Sequence, residues 1–113
     1  MNAKHEEIQK VIDENDVVLF VKGTAKFPQC GFSAVVIQIF DRLGVQYKDV
    51  NILEDNDLRQ ELKVFSDWPT FPQIYLKGEL IGGCDIAREM FTSGELQEAL
   101  KEKGIPFSMA DAS

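Results

Sequence analysis

Val17-Val18-Leu19-Phe20-Val21 is a run of consecutive apolar residues bounded by Asp16 on one side and Lys22-Gly23 on the other. A strand with one wet face alternates apolar and polar side chains, so an unbroken run of this length reads as a strand covered on both faces. Such a strand needs helices above and below its sheet, and the flanking sequence supplies them. Before the run, Ile8, Val11 and Ile12 share one face of a helix. After it, past a loop containing Gly23, Pro28 and Gly31, the residues Phe32, Val35, Val36, Ile39, Phe40 and Leu43 recur at helical spacing until Gly44 ends the pattern. Tyr47 to Ile52 then reads as a second strand. Strand, helix, strand is a crossover unit and favours a parallel pair.

Further along, Asn56 or Asp57 is the expected cap of a short helix carrying Leu58, Leu62 and Phe65, with Arg59 and Lys63 one turn apart on its more polar face. Gln73 to Leu76 and Glu79 to Ile81 read as a hairpin turning at Lys77-Gly78. Gly82-Gly83 breaks that strand, and two helices follow, over Asp85 to Phe91 and Glu95 to Lys101. The expectation is an α/β fold with a four-stranded mixed sheet flanked by helices. It comprises one domain over residues 1–107, with 108–113 as a disordered tail that has little to pack.

The 113 residues suffice for about one domain with a single core. Twelve basic against nineteen acidic residues give a formal charge of −7, which argues against neutralising nucleic-acid phosphates or anionic membranes. No stretch approaches the roughly 18 apolar residues of a membrane span, and Met1 to Lys10 is polar. The chain is therefore expected to be soluble and cytoplasmic. There its two cysteines, Cys30 and Cys84, would be kept reduced, so a structural disulfide is disfavoured. His5, in a charged segment, is expected to be a solvated helix residue.

Cys30-Gly31-Phe32-Ser33 has the form of a dithiol redox site whose second cysteine is replaced by serine. A hydroxyl is too weak an acid and nucleophile to resolve a mixed disulfide at neutral pH. Cys30 sits between the first strand and the helix after it, where unpaired backbone N–H groups and the helix dipole favour thiolate over thiol. That is the position of a reactive cysteine; the alternative is a buried thiol acting as a small hydrophobe. Ser33 reads as a helix-start residue whose hydroxyl caps a backbone donor.

Lys22-Gly23-Thr24, Pro28-Gln29-Cys30-Gly31-Phe32-Ser33, Trp68-Pro69-Thr70-Phe71-Pro72-Gln73 and Gly82-Gly83-Cys84-Asp85, in that order, make the chain resemble the CGFS-type monothiol glutaredoxins, on a thioredoxin-like fold. The resemblance covers nearly the whole chain as a single domain. One departure is that Ala25 follows Thr24 where many members have proline, which is expected to loosen the loop before Cys30.

The resemblance implies a cis bond before Pro72, presenting the Phe71 backbone to an extended peptide. It also implies that this groove binds glutathione. The tripeptide has two carboxylates and one ammonium, which call for cations at one end and an anion or helix terminus at the other. By family position, Lys22 and Arg59 would meet the glycyl carboxylate, main-chain atoms of Phe71 the cysteinyl part, and Cys84 and Asp85 the γ-glutamyl end. Trp68, Lys63 and Gln29 are possible rim contacts. A [2Fe-2S] cluster needs four ligands, and the family supplies them from a dimer: Cys30 of each copy and two glutathiones. The implied function is transfer of a labile cluster to apoproteins and iron homeostasis, with a BolA-family protein as a further partner. The alternatives are a glutathione-dependent oxidoreductase of at most weak activity, reducing protein-glutathione mixed disulfides through a Cys30 nucleophile, and a redox module using a Cys30-Cys84 disulfide, which sequence spacing does not decide.

Overall fold

The structure is a computed structural model and describes residues 3–108. Its elements are α1 (Ala3–Glu14), β1 (Val17–Val21), α2 (Gly31–Arg42), β2 (Lys48–Asn51), α3 (Asn56–Ser66), β3 (Gln73–Leu76), β4 (Glu79–Gly82), α4 (Cys84–Ser93) and α5 (Glu95–Glu102). The sheet runs β2-β1-β3-β4, with β1 parallel to β2 and antiparallel to β3, and β3 antiparallel to β4. The four-stranded mixed sheet of the thioredoxin-like fold is therefore present.

Every residue of β1 is buried, and successive side chains serve opposite layers. Val17, Leu19 and Val21 pack with Val36, Phe40, Ala87, Leu96 and Leu100 of α2, α4 and α5. Val18 and Phe20 pack with Ile8 and Ile12 of α1 and Leu62 of α3. β3 repeats the alternation: Ile74 and Leu76 face the first layer and Tyr75 the second, its ring meeting Phe20 edge-on at 5.7 Å. The period of two in strand side chains thus turns one apolar run into two half-cores.

Several details depart from expectation. The cap of α3 is Asp55, not Asn56 or Asp57: its Oδ1 accepts from the Leu58 N–H at 3.0 Å, the reach of an N-cap to the third helical residue. Asp55 also meets Lys4 at 2.8 Å, tying α3 to α1. His5, in α1, is only partly solvated; its Nε2 lies 3.0 Å from Glu61 Oε1 and its ring meets Phe65 edge-on. In the β3-β4 hairpin both Lys77 (φ +46°) and Gly78 (φ +84°) take positive φ, the twist a two-residue connection needs. The Lys77 N–H reaches back to the Asp16 carbonyl at 2.6 Å. At the chain's other end, the Ser108 N–H donates to the Leu43 carbonyl, so the ordered domain extends past 107. The remainder of the expected tail, residues 109–113, lies outside the described residues.

Because β1 has no wet face, Val18→Thr and Leu19→Thr are both expected to destabilise the protein by about 1–3 kcal/mol, each burying a hydroxyl on a different side. Urea denaturation of the two variants checks this; a strand with one solvent face would leave one of them near wild type.

Candidate functional site at the Cys30 end of the sheet

β1 ends at Val21, and the chain must then turn from strand to helix within a few residues. Gly23 makes the turn at φ +98°, and a Cβ there would lie 2.6 Å from both the Phe27 carbonyl and the Gln29 nitrogen. The loop closes on itself through Gln29 N–H to the Lys22 carbonyl (2.8 Å) and Thr24 N–H to the Phe27 carbonyl (3.2 Å). β2 holds it from outside: Asn51 Oδ1 accepts from the Gly23 N–H and Asp49 Oδ2 from the Ala25 N–H, each at 2.9 Å. The Ala25 N–H is a donor that proline would lack. The expected loosening at this departure is therefore offset by a hydrogen bond that only a non-proline residue can make.

Cys30 is the N-cap of α2, in extended conformation (φ −145°, ψ 134°), with its carbonyl accepting from the Ala34 N–H at 2.9 Å. Its thiol is half-buried and lies below the ordinary thiol value. The Ser33 backbone N–H is the first cause, helped by the Phe32 N–H, the Ser33 hydroxyl and the charge of Lys22, against an upward pull from burial. Cys30 thus stands at the helix start where it was expected, and the helix-start amides are the chief cause of its lowered pKa. Ser33, however, does not cap α2. It is fully buried, and its Oγ accepts from the Lys22 N–H at 3.0 Å, so the backbone donor it satisfies belongs to the end of β1.

The opposite wall is the Trp68–Pro72 segment, whose Phe71-Pro72 bond is cis. Between the walls lies a groove of about 500 Å³ lined by Lys22, Cys30, Arg59, Phe71, Cys84 and Asp85 together with Lys63 and Trp68. All six candidate site residues are thus brought to one place. Gln29 is not: it is exposed and its amide folds back on the Phe27 carbonyl at 3.3 Å. Lys22, Arg59 and Lys63 bring positive charge to the groove, and the α4 N-terminus brings backbone donors at Cys84 and Asp85. Gly82, at φ +138°, lets the chain enter α4 where a Cβ would strike Ile86 at 2.6 Å.

Cys84 is buried, and desolvation pushes its thiol up, the nearby Arg88 guanidinium opposing this with Nη2 3.7 Å from Sγ. The two sulfurs of the groove therefore differ in kind, one activated and accessible, the other muted. Sequence reading missed Phe32, Pro69, Thr70 and Ile86 as lining residues and Asp49 and Asn51 as the struts of the loop. The first set is defined by how segments meet in space. The struts left a faint signal, polar residues at alternate positions of a strand beside the central one. A second depression of about 600 Å³, at the other end of β1 beside Asp16, Tyr47 and Ile105, has no cysteine in its lining.

Residues 17–81 match the glutaredoxin family. The chain is 56% identical over 100 residues to a probable monothiol glutaredoxin 2 of Rickettsia conorii, covering 88% of this chain and 94% of that protein. It is 47% identical over 102 residues to glutaredoxin 4 of Escherichia coli, covering 90% and 89% respectively. Among solved structures, a buckwheat glutaredoxin-glutathione complex superposes with a TM-score of 0.78 at 28% identity, over 89% of this chain and 90% of that one.

The two thiols should separate under alkylation. Iodoacetamide near neutral pH is expected to label Cys30 and spare Cys84, with the Cys30 rate falling as pH drops through its lowered pKa. Ser33→Ala, which removes one donor, should move that midpoint upward. Peptide mapping across a pH series checks both, and equal labelling of the two cysteines in folded protein would contradict the assignment.

Proposed function

The chain belongs to the glutaredoxin family, in its monothiol branch, and from that premise we propose that it binds glutathione beside Cys30 and carries a labile [2Fe-2S] cluster between two copies, for delivery to apoproteins and iron homeostasis. The observation that carries this reading is a single activated sulfur in an open groove whose resolving position is held by a buried serine. A second thiol there would compete for Cys30 by forming a disulfide and releasing the cluster. Ser33, committed to the Lys22 N–H, does not.

The donor set fits a shared cluster. Among the described residues no group of three or more His, Cys, Asp or Glu could hold a metal ion; in this reading Cys30 is the chain's own ligand and the others come from glutathione and a second copy. Glutathione bound in the groove supplies a second thiolate, and a second copy doubles both. Lys22 and Arg59 would take the glycyl carboxylate, the Phe71 main chain the cysteinyl residue, and the α4 N-terminus with Asp85 the γ-glutamyl end. That the similar buckwheat protein was solved with glutathione supports this ligand. With half of its ligation on exchangeable small molecules, the cluster is suited to transfer. We also infer a mixed complex with a BolA-family protein, and a cytoplasmic setting.

The activated thiol favours a second reading as well. Cys30 thiolate would attack the glutathione sulfur of a protein-glutathione disulfide, expelling the protein thiolate. A free glutathione thiolate would then attack the resulting Cys30-glutathione disulfide, returning Cys30 and leaving oxidised glutathione. We expect this turnover to be weak.

Anaerobic reconstitution with iron, sulfide and glutathione should give a coloured dimer on size exclusion, and Cys30→Ala should stay colourless. Lys22→Ala and Arg59→Ala should each weaken glutathione binding about tenfold, the scale of one charged hydrogen bond, and lose cluster in step. A colourless monomeric wild type, or a Cys30→Ala variant holding as much cluster, would overturn the carrier reading.

A further inference from the structure

Among the described residues two polar side chains are fully buried, Ser33 and Gln73. Ser33 braces the Cys30 wall of the groove; Gln73 is on the other side. It is the first residue of β3, paired with Phe20 of β1, in a strand otherwise composed of Ile, Tyr and Leu. Burying an amide in such a place is costly unless its hydrogen bonds are made. Here the Nε2 donates to two main-chain carbonyls of the preceding segment, Trp68 at 3.1 Å and Thr70 at 3.3 Å. The Oε1 accepts from the Tyr75 hydroxyl at 3.4 Å. Two carbonyl partners fix which end of the side chain is the NH2. Ser66 completes the support, donating to the Leu62 carbonyl at 2.8 Å and accepting from the Trp68 N–H at 3.1 Å.

We propose that Gln73 is a positioning residue for the glutathione groove. Its amide clamps the Trp68–Thr70 backbone to the sheet, and so sets where the main chain of Phe71 stands opposite Cys30. Trp68, Thr70 and Phe71 all line the groove. Gln73 is absent from the lining and acts only through them. The ligand half of this inference rests on the glutathione reading above; the clamp itself does not.

Gln73→Glu keeps size and shape but replaces the two-donor amide by a group that donates only when protonated. Burial raises the pKa of such a carboxyl. At low pH the acid form donates to one carbonyl and restores part of the clamp; as pH rises the carboxylate faces carbonyl oxygens and the clamp opens. Tyr75, the titratable group in contact with Gln73, is pushed up to about 12 by burial and stays neutral throughout. Gln73→Met fills the space with no donor and should show no recovery at any pH.

Two readouts separate the clamp from the ligand. Trp68 is the sole tryptophan, so its emission and acrylamide quenching report the segment with nothing bound. Titration with S-methylglutathione, which has no reactive thiol, reports the groove. Between about pH 5 and pH 8.5, with wild type as reference at each pH, Gln73→Glu should lose about tenfold in affinity, with Trp68 becoming more quenchable, and both changes should reverse on acidification. Gln73→Met should show the high-pH phenotype throughout. The proposal is overturned if the folded variants match wild type in Trp68 quenching, if quenching changes while affinity does not, or if the Gln73→Glu defect is independent of pH. A wild type that does not bind S-methylglutathione would defeat the glutathione reading, while Trp68 quenching would still support or overturn the clamp.

Discussion

Where β1 ends, the Lys22 N–H is taken by the hydroxyl of Ser33, reaching back from the first turn of α2 at 3.0 Å, while the Lys22 carbonyl accepts from the Gln29 N–H at 2.8 Å. With both backbone groups of one residue so engaged, the intervening loop is closed and Cys30 is held at the start of α2. The environment of the Cys30 sulfur follows from that closure. The amides of Phe32 and Ser33 reach the sulfur because the helix begins there, and the Lys22 charge bears on it because the strand end cannot swing away. A cysteine on an open loop would lack both influences and would keep an ordinary thiol pKa.

The closure is rigid because what it is anchored to is rigid. β1 is buried on both faces and hydrogen-bonded along both edges, to β2 and β3. β2 then holds the loop through Asp49 and Asn51, and β3 holds the opposite wall through Gln73. The two walls of the groove are thus supported by strands flanking the same central one, and their separation is set by the sheet. Arg59 and Lys63 arrive from α3, a helix packed through Leu62 on the other half-core. Cys84 and Asp85 arrive from α4 on the first. The groove gathers residues from both layers at the one end of the sheet where both can reach it.

Much of this was legible in the sequence, because it depends on local patterns. The five apolar residues of β1, the helical spacing from Phe32 to Leu43 and the glycine of the hairpin turn each encode their element directly. The six candidate residues of the site could be named from motif order, and they do converge. What sequence reading missed depends on contacts between segments far apart in the chain. Asp55 rather than its neighbours caps α3 because its side chain can meet both Leu58 and Lys4. Ser33 looks like a helix cap until the end of β1 is placed beside it. Ala25 looks like a defect until Asp49 is seen to use its N–H. Gln73, a polar residue opening an apolar strand, was a visible anomaly without a visible partner.

The departure of Ser33 from a dithiol site now has two physical meanings: it removes a competing sulfur, and it supplies the hydroxyl that closes the loop. Both suit the proposed role of the Cys30 thiolate as a ligand beside glutathione. Native mass spectrometry of the reconstituted protein tests this most directly. The account predicts an assembly of two chains, two glutathiones and one [2Fe-2S] cluster, which falls apart to monomers when glutathione is removed. A cluster-bearing species that contains no glutathione would contradict it.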